Sequence, residues 1–397
     1  LLHSVEDLVK VRPHCLVFVL VLALLAPSLA PPRTAAEPPQ PQYRPGRIWV
    51  RLKNGDASSL RQRVLALGGV DPEAVIAPLD GVVVRVPPGQ EEQVARRLAA
   101  RSDVAYAVLI PRAQILRTPN DPELSKQWGL HKIGAPAAWD VTICTRPFVV
   151  ATIDTGIDLV HPDLAGRIWT NAREVPGNGL DDDGNGYADD VHGWHFYSVG
   201  GDGDYAPYVP AEDNDVQDAH GHGTHVAGII AAATDNGVGV AGLAWGATVM
   251  PVRVTYGASG SMWYDDIIKG IIYATDNGAR VINMSVGGEV AFAPLQEALA
   301  YARGRGALPV AAAGNAGVSG VLYPAAYPEA MAVGATDSAD RRASSNYGPQ
   351  LSVAAPGVGI YSTLWQGRYD TQGNLVEEFH TYGNMTGTSM AAPHVSA

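Results

Sequence analysis

The chain has 397 residues, room for one large domain and a small one. Hydrophobic residues make up 46% and charged residues 17%, a balance that buries a sizeable core and argues against wholesale disorder. A formal net charge of -12 argues against a nucleic-acid partner, because phosphate binding needs concentrated Lys and Arg.

The first feature in chain order is the apolar run Cys15-Pro27, CLVFVLVLALLAP. It is short for a membrane span and fits the core of a signal peptide, so no stable membrane anchor is expected. Ser28-Leu29-Ala30 offers small residues for cleavage, with a site near Ala36 as the alternative. Residues 1–30 are therefore expected to be a signal peptide, which makes the protein secreted and extracellular. Residues 31–45 are Pro-rich and read as a linker. Of the two cysteines, Cys15 falls in the segment to be removed, leaving Cys144 and no internal disulfide. Ile143 and Thr145 give Cys144 no base, so a structural thiol is the plainer reading.

Residues 46–118 form an expected α+β unit. Arg47-Lys53 alternates like a strand, Ala57-Leu67 has helical spacing, and Ala74-Val86 holds two strands broken at Pro78-Gly81. Glu91-Ala100 is a second helix and Val104-Ile110 a last strand. This is the split βαβ order. Its place between leader and main domain suggests an inhibitory propeptide, with Arg112-Glu123 as the exposed joint.

After Trp128 the pattern changes. Strand-like runs at Phe148-Ile153, Thr248-Val254, Arg280-Met284, Leu308-Ala312 and Ala330-Gly334 alternate with helical segments at Thr224-Ala233, Tyr264-Thr275 and Leu295-Gly304. Such alternation predicts an α/β fold, a parallel sheet with helices on both faces, over residues 119–397. Sites in these folds lie at the carboxyl ends of the strands.

Three stretches carry chemistry: Ala151-Asp158 (ATIDTGID), His222-Gly228 (HGTHVAG) and Gly387-Val395 (GTSMAAPHV). A serine hydroxyl needs a base to become a nucleophile, and imidazole suits that role because its pKa lies near neutrality. A carboxylate then holds the tautomer and tolerates the charge. Asp154, His222 and Ser389 supply the three groups, with Thr155 placed to steady the carboxylate through its hydroxyl. Asp-Thr-Gly alone also occurs in aspartic proteases. His220, His222 and His225 have an H-x-H-x-x-H spacing that could hold zinc, but zinc leaves Ser389 unexplained.

The order Asp, His, Ser is that of subtilisin. All three segments resemble those of the subtilase family, from about Pro119 to Ala397. The resemblance implies a three-layer subtilisin-like fold and a serine endopeptidase acting on protein or peptide substrates through an acyl-enzyme. It implies a proenzyme that removes its own propeptide, which acts until then as an intramolecular inhibitor. Asn315, in Ala311-Asn315 (AAAGN), is expected to donate to the oxyanion. The substrate is expected to add as a strand between Ser259-Gly260 and Ser285-Gly287, with Ala313 and Gly314 at the pocket before the cleaved bond. Leu322 falls near the base of that pocket, and broad apolar preference is expected. The resemblance also implies that the helix after Ser389 continues beyond Ala397. A carboxyl-terminally truncated, poorly folded and inactive fragment is thus expected of the chain as it stands.

Two calcium sites are expected, both structural, and no organic cofactor. Asp181, Asp183, Asn185 and Asp189, with Gly186 sixth, resemble the first nine positions of an EF-hand loop. His192 stands where the bidentate Glu belongs, and Asp190 is the possible substitute. The second site is implied by resemblance to thermitase-like members. Asp121, Asp163 and Asn236 would staple the mature amino end to the domain.

Overall fold

The computed structural model describes residues 43–53, 60–66, 70–112, 118–199, 209–210, 212–255, 260–370, 372 and 374–397. The expected leader lies outside the described residues, as do most of the linker and residues 113–117 of the joint. The chain divides into two compact units, Leu1–Ala113 and Gln114–Ala397.

The first unit runs β1 (Tyr43–Leu52), α1 (Leu60–Leu65), β2 (Asp71–Ile76), β3 (Gly81–Arg85), α2 (Glu91–Ala99) and β4 (Val104–Pro111). The strands form an antiparallel sheet in the order β2-β3-β1-β4. Alternation decides which face is buried: Ile48, Val50 and Leu52 point into the core while Trp49 and Arg51 do not. Helix α2 carries Glu91 and Glu92 in its first turn and Arg96 and Arg97 in its last, both favourable to the helix dipole. It buries Val94, Ala95 and Leu98 against the sheet. Strand β2 begins earlier than expected, at Asp71, and carries Pro72 at a register shift. It lies at the sheet edge, where a missing N–H is tolerated.

The second unit opens with two one-turn helices that the sequence pattern did not reveal, α3 (Trp128–Lys132) and α4 (Ala135–Trp139). Then follow β5 (Phe148–Asp154), the two-residue strands β6 (Trp194–His195), β7 (Ser198–Val199) and β8 (Val209–Pro210), and α5 (His222–Ala231). Next come β9 (Ala247–Arg253), α6 (Tyr264–Asp276), β10 (Val281–Met284), α7 (Ala293–Gly304), β11 (Leu308–Ala312), β12 (Met331–Thr336) and β13 (Val353–Pro356). A long hairpin of β14 (Ile360–Tyr369) and β15 (Leu375–Met385) leads into α8 (Thr388–Ser396).

Seven strands form one parallel sheet in the order β13-β12-β11-β10-β5-β9-β6. Both faces are covered, so the strands are mostly apolar, with Thr152 and Asn283 among the buried exceptions. Ala151 and Ile153 of β5 pack into the cluster that contains Ile267 and Ile271 of α6 and Leu295 and Leu299 of α7. Val150 packs with Val226 and Ile230 of α5 and with Met390 of α8. This is a subtilisin-like architecture, preceded by a unit built on an antiparallel sheet.

Pro393 lies inside α8 and cannot donate to the carbonyl of Ser389, four residues before it. The Ser285 hydroxyl donates to that carbonyl instead, at 2.7 Å. Asn283 and Ser396 extend the buried network: Asn283 Nδ2 donates to Ser285 Oγ at 3.0 Å, and Ser396 Oγ donates to Asn283 Oδ1 at 2.8 Å. The beginning of the Ser389 helix is thereby pinned to the carboxyl end of β10.

Candidate active site

Asp154 ends β5 and is 1% exposed. His222 is the first residue of α5. Between their side chains, His222 Nδ1 and Asp154 Oδ1 are 2.6 Å apart. The approach requires Gly223, since a Cβ there would sit 2.1 Å from the Gly156 carbonyl oxygen and 3.2 Å from Asp154 Cβ. Burial disfavours a charged imidazole, but the charge and hydrogen bond of Asp154, with help from Asp218, outweigh it and raise the His222 pKa above its ordinary value.

The Thr155 backbone amide donates to Asp154 Oδ1 at 2.8 Å. The Thr155 hydroxyl goes elsewhere, which corrects the sequence reading. It donates to Asp218 Oδ1 at 2.9 Å and accepts from the Gly223 amide at 2.9 Å. Asp218 was not singled out from sequence. Its signal was a short acidic side chain just ahead of a helix start, where such residues satisfy free amides.

A cleft of about 770 Å³ is lined by Thr155, His222, Gly260, Ser285, Gly287, Gly314, Asn315 and Ser389, together with His220, Met262 and Leu322. Ser259 lies outside the described residues. Ala313 does not line the cleft: it is fully buried, its amide bonded to Val333 and its carbonyl to Leu322. The lining residues are its neighbours Ala312 and Gly314. Gly287 and Gly314 leave room for Leu322, since a Cβ at either would meet that side chain at 3.0 and 2.8 Å. Ser389 Oγ donates to the Ser285 carbonyl at 3.0 Å. The Asn315 carbonyl oxygen accepts from the amide and hydroxyl of Thr388, at 2.8 and 3.0 Å. That side-chain oxygen is thereby anchored to the start of α8, in a residue that lines the cleft.

The three histidines do not converge. His222 is committed to Asp154, whereas His225 Nε2 donates to the carbonyls of Ile360 and Gly383, at 2.9 and 3.1 Å. Burial pushes the His225 pKa down to about 4. Cys144 is half-buried, and burial raises its thiol pKa, which keeps it protonated and unreactive.

Of the expected loop ligands Asp183 does converge, with Asp190, the substitute named above, and with Glu174, which was not expected. Oxygens of Glu174, Asp183 and Asp190 lie within 4.8 Å of one another. Asp189 turns to the amides of Asn178 and Gly179, and Asp181 to those of Gly184, Asn185 and Gly186. Asp189 has a φ of 55°, which reverses the chain and delivers the next carboxylate, Asp190, inward. Asn185 donates to that carboxylate at 3.0 Å. Burial raises the Asp190 pKa, and the charge of Asp183 adds to the rise. Such a cluster of hard oxygen donors fits a hard divalent cation.

The second expected set does come together. Asp163 Oδ1 accepts from Asn236 Nδ2 at 2.9 Å, and Asp121 accepts from the amides of Asp235 and Asn236 at 2.9 and 3.4 Å. Burial pushes the Asp163 pKa up to about 6, and the nearby charge of Asp121 contributes. Asn120 and Glu123 bond to the same loop at Asp235, Gly237 and Gly239, so the last residues of the expected joint are tied down here.

Residues 145–397 match the subtilase family, and residues 29–109 match the fervidolysin N-terminal prodomain. The chain is 41% identical to thermitase of Thermoactinomyces vulgaris over 281 residues, 70% of this chain and 83% of that protein. It is 40% identical to subtilisin Savinase of Lederbergia lenta over 273 residues, 68% of this chain and 82% of that one. A solved protease structure from Pseudoalteromonas arctica aligns with a TM-score of 0.56 and 32% identity, covering 70% of this chain and 85% of its own. Family match, identity and sheet topology agree: the chain belongs to the subtilase family and is a subtilisin-like serine endopeptidase carrying an N-terminal prodomain.

Proposed function

We propose that the enzyme cleaves peptide bonds with Ser389 as nucleophile, His222 as general base and Asp154 as the carboxylate that orients it. The observation that carries this reading is the 2.6 Å Asp154–His222 contact at a cleft that Ser389 and Asn315 also line. Ser389 Oγ bonds to the carbonyl carbon of the substrate as its proton passes to His222 Nε2. The carbonyl electron pair moves to oxygen, where Asn315 Nδ2 donates. The C–N bond then breaks, and the leaving amine takes the proton from His222. Water hydrolyses the acyl-enzyme by the same route.

The resting hydrogen bond of Ser389 adds a step. Its proton is aimed at the Ser285 carbonyl. A substrate adding as a strand along 285–287 offers an N–H to that same carbonyl, frees the hydroxyl and lets it turn to His222. Binding and arming of the nucleophile are then one event. Leu322 narrows the pocket between Gly287 and Gly314 and favours medium apolar side chains there.

The prodomain is the temporary inhibitor, removed by the enzyme itself near residue 118, and residues 1–30 direct secretion. Calcium is the cation for both acidic sites: Glu174, Asp183 and Asp190 at one, Asp121, Asp163 and Asn236 at the other. When bound there it supplies positive charge to crowded carboxylates and no chemistry. A serine-reactive phosphonate tests the central assignment. Wild-type enzyme should label and Ser389→Ala should not. Equal labelling of a folded Ser389→Ala protein overturns it. Full-length Ser389→Ala should also accumulate unprocessed in a protease-deficient host, and normal maturation there rules out self-processing.

A further inference from the structure

Asp218 is a buried carboxylate that the steps above leave without a role. It is 1% exposed and lies four residues before His222. A carboxylate buried this deeply must be met by donors. Oδ1 accepts from the Thr155 hydroxyl and the amides of His220 and Gly221, each at 2.9 Å. Oδ2 accepts from the Thr224 amide at 2.9 Å and the Thr224 hydroxyl at 2.6 Å. These donors come from the residue after Asp154 and from both sides of His222. Two further bonds close the frame. The Gly223 amide donates to Thr155 Oγ1 at 2.9 Å, and the Asp158 amide donates to Thr224 Oγ1 at 2.9 Å. The turn itself is tight: Gly221 has a φ of 96°, and a Cβ there would sit 2.3 Å from the Trp365 carbonyl oxygen.

We propose that Asp218 is a positioning residue for the reaction, holding the end of β5 and the start of α5 at the separation the Asp154–His222 bond requires and placing a second negative charge behind the imidazole. This rests on His222 being the base. When His222 takes the Ser389 proton it becomes cationic, with Asp154 bonded to its ring and the Asp218 carboxylate held by the amides of the turn just before it. The other titratable groups toward it are His220, whose ring lies 6.2 Å away, and the buried His225 on the same helix, held neutral near pH 7 by its pKa of about 4. The direction of the His222 pKa fits this, since Asp218 adds to the effect of Asp154. Simple helix capping is a different role: it stabilises α5 and leaves the pH profile of the reaction in place.

The test is kcat and KM against pH for Asp218→Asn, Asp218→Glu and Thr155→Val, with melting temperatures. Asp218→Asn should lower kcat about tenfold or more at little cost in KM, because small misplacements of reacting groups are expensive. It should also move the acid limb of kcat/KM to lower pH, since one negative charge near the imidazolium is lost. Thr155→Val and Asp218→Glu keep the charge, so both should lose rate with the acid limb in place. A folded Asp218→Asn enzyme with wild-type kcat and an unmoved limb overturns the proposal. If Asp218→Asn does not fold, the tether is judged on Thr155→Val, and an unchanged kcat there overturns it. His222→Ala separates the two levels. Activity in that variant removes the base assignment itself, whereas an inactive His222→Ala beside a wild-type-like Asp218→Asn removes only the role of Asp218.

Discussion

Carboxylates are buried in two regions of the catalytic unit, and the two regions treat them differently. At the cleft, Asp218 receives five hydrogen bonds from its own chain, whereas Asp154 is met at Oδ1 by an imidazole and an amide and its buried Oδ2 has no hydrogen-bond partner among the described residues. At the acidic sites, carboxylates also receive donors, Glu174 from three amides and Asp190 from Asn171, Asn185 and Tyr273, but they lie against one another as well. Glu174, Asp183 and Asp190 crowd one point, with Arg173 paired to Asp183 at 2.8 Å as partial compensation. The difference teaches where an outside charge is needed. A buried carboxylate that stands apart from other carboxylates can be held by donors alone, as Asp218 is, whereas a crowded set either takes up protons or binds a cation even when donors reach it.

The comparison is tested hardest at the cleft. Ser389→Ala should lower kcat on the order of 10⁶-fold, the scale subtilisin shows on losing this group, while leaving the melting temperature nearly unchanged. A large loss of stability in that variant would show that the cleft is not complete without its nucleophile. Asn315→Ala should lower kcat by roughly 10²- to 10³-fold with KM little changed, as loss of one oxyanion donor does. A matching rise in KM with constant kcat would assign Asn315 to ground-state binding instead.

The acidic sites should respond in the opposite sense, in stability more than in turnover. A cation that binds only the folded state stabilises it by about 2.7 kcal/mol at a hundredfold excess over its Kd. Chelation should therefore lower the melting temperature and speed self-digestion, while the initial rate per folded molecule stays within about twofold. Asp183→Ala and Asp163→Ala should each remove part of the response, and the double variant most of it. A chelator that leaves all four melting temperatures unmoved removes the cation from both sites.

The cleft was far more legible in the sequence than the acidic sites, for a physical reason. Asp154, His222 and Ser389 each sit at the junction of a strand or helix with a loop, so residue type and local pattern point to the same place. Asp218 escaped because its meaning depends on Thr155, 63 residues away, and on burial that no local pattern reveals. Glu174 escaped for a similar reason, as it lies outside the acidic run that it joins in space. Ala313 was misassigned by one position, and along extended backbone a shift of one residue exchanges faces. The hairpin β14–β15 was invisible because neither strand alternates cleanly. The start of β14 is buried at nearly every residue, while β15 is exposed or half-exposed throughout.

The smallest effect sharpens the comparison most, because it separates activity from stability within one residue. The His222 pKa is raised in the folded protein, despite burial, by Asp154 and then Asp218. A general base works only when neutral, so with His222 in the proposed role kcat/KM should rise with pH through a midpoint above the ordinary histidine value of about 6.5. Stability runs the other way. A group whose folded pKa is raised contributes stability that is fully present below its unfolded pKa and is lost as pH climbs through the folded one. In the Ser389→Ala background, where self-digestion is absent, the melting temperature should therefore lose a small increment just above pH 6.5. The same increment should be missing from a Ser389→Ala, His222→Gln double variant. Identical melting profiles for the two proteins across that window would mean that Asp154 holds the imidazole in place without favouring its charge.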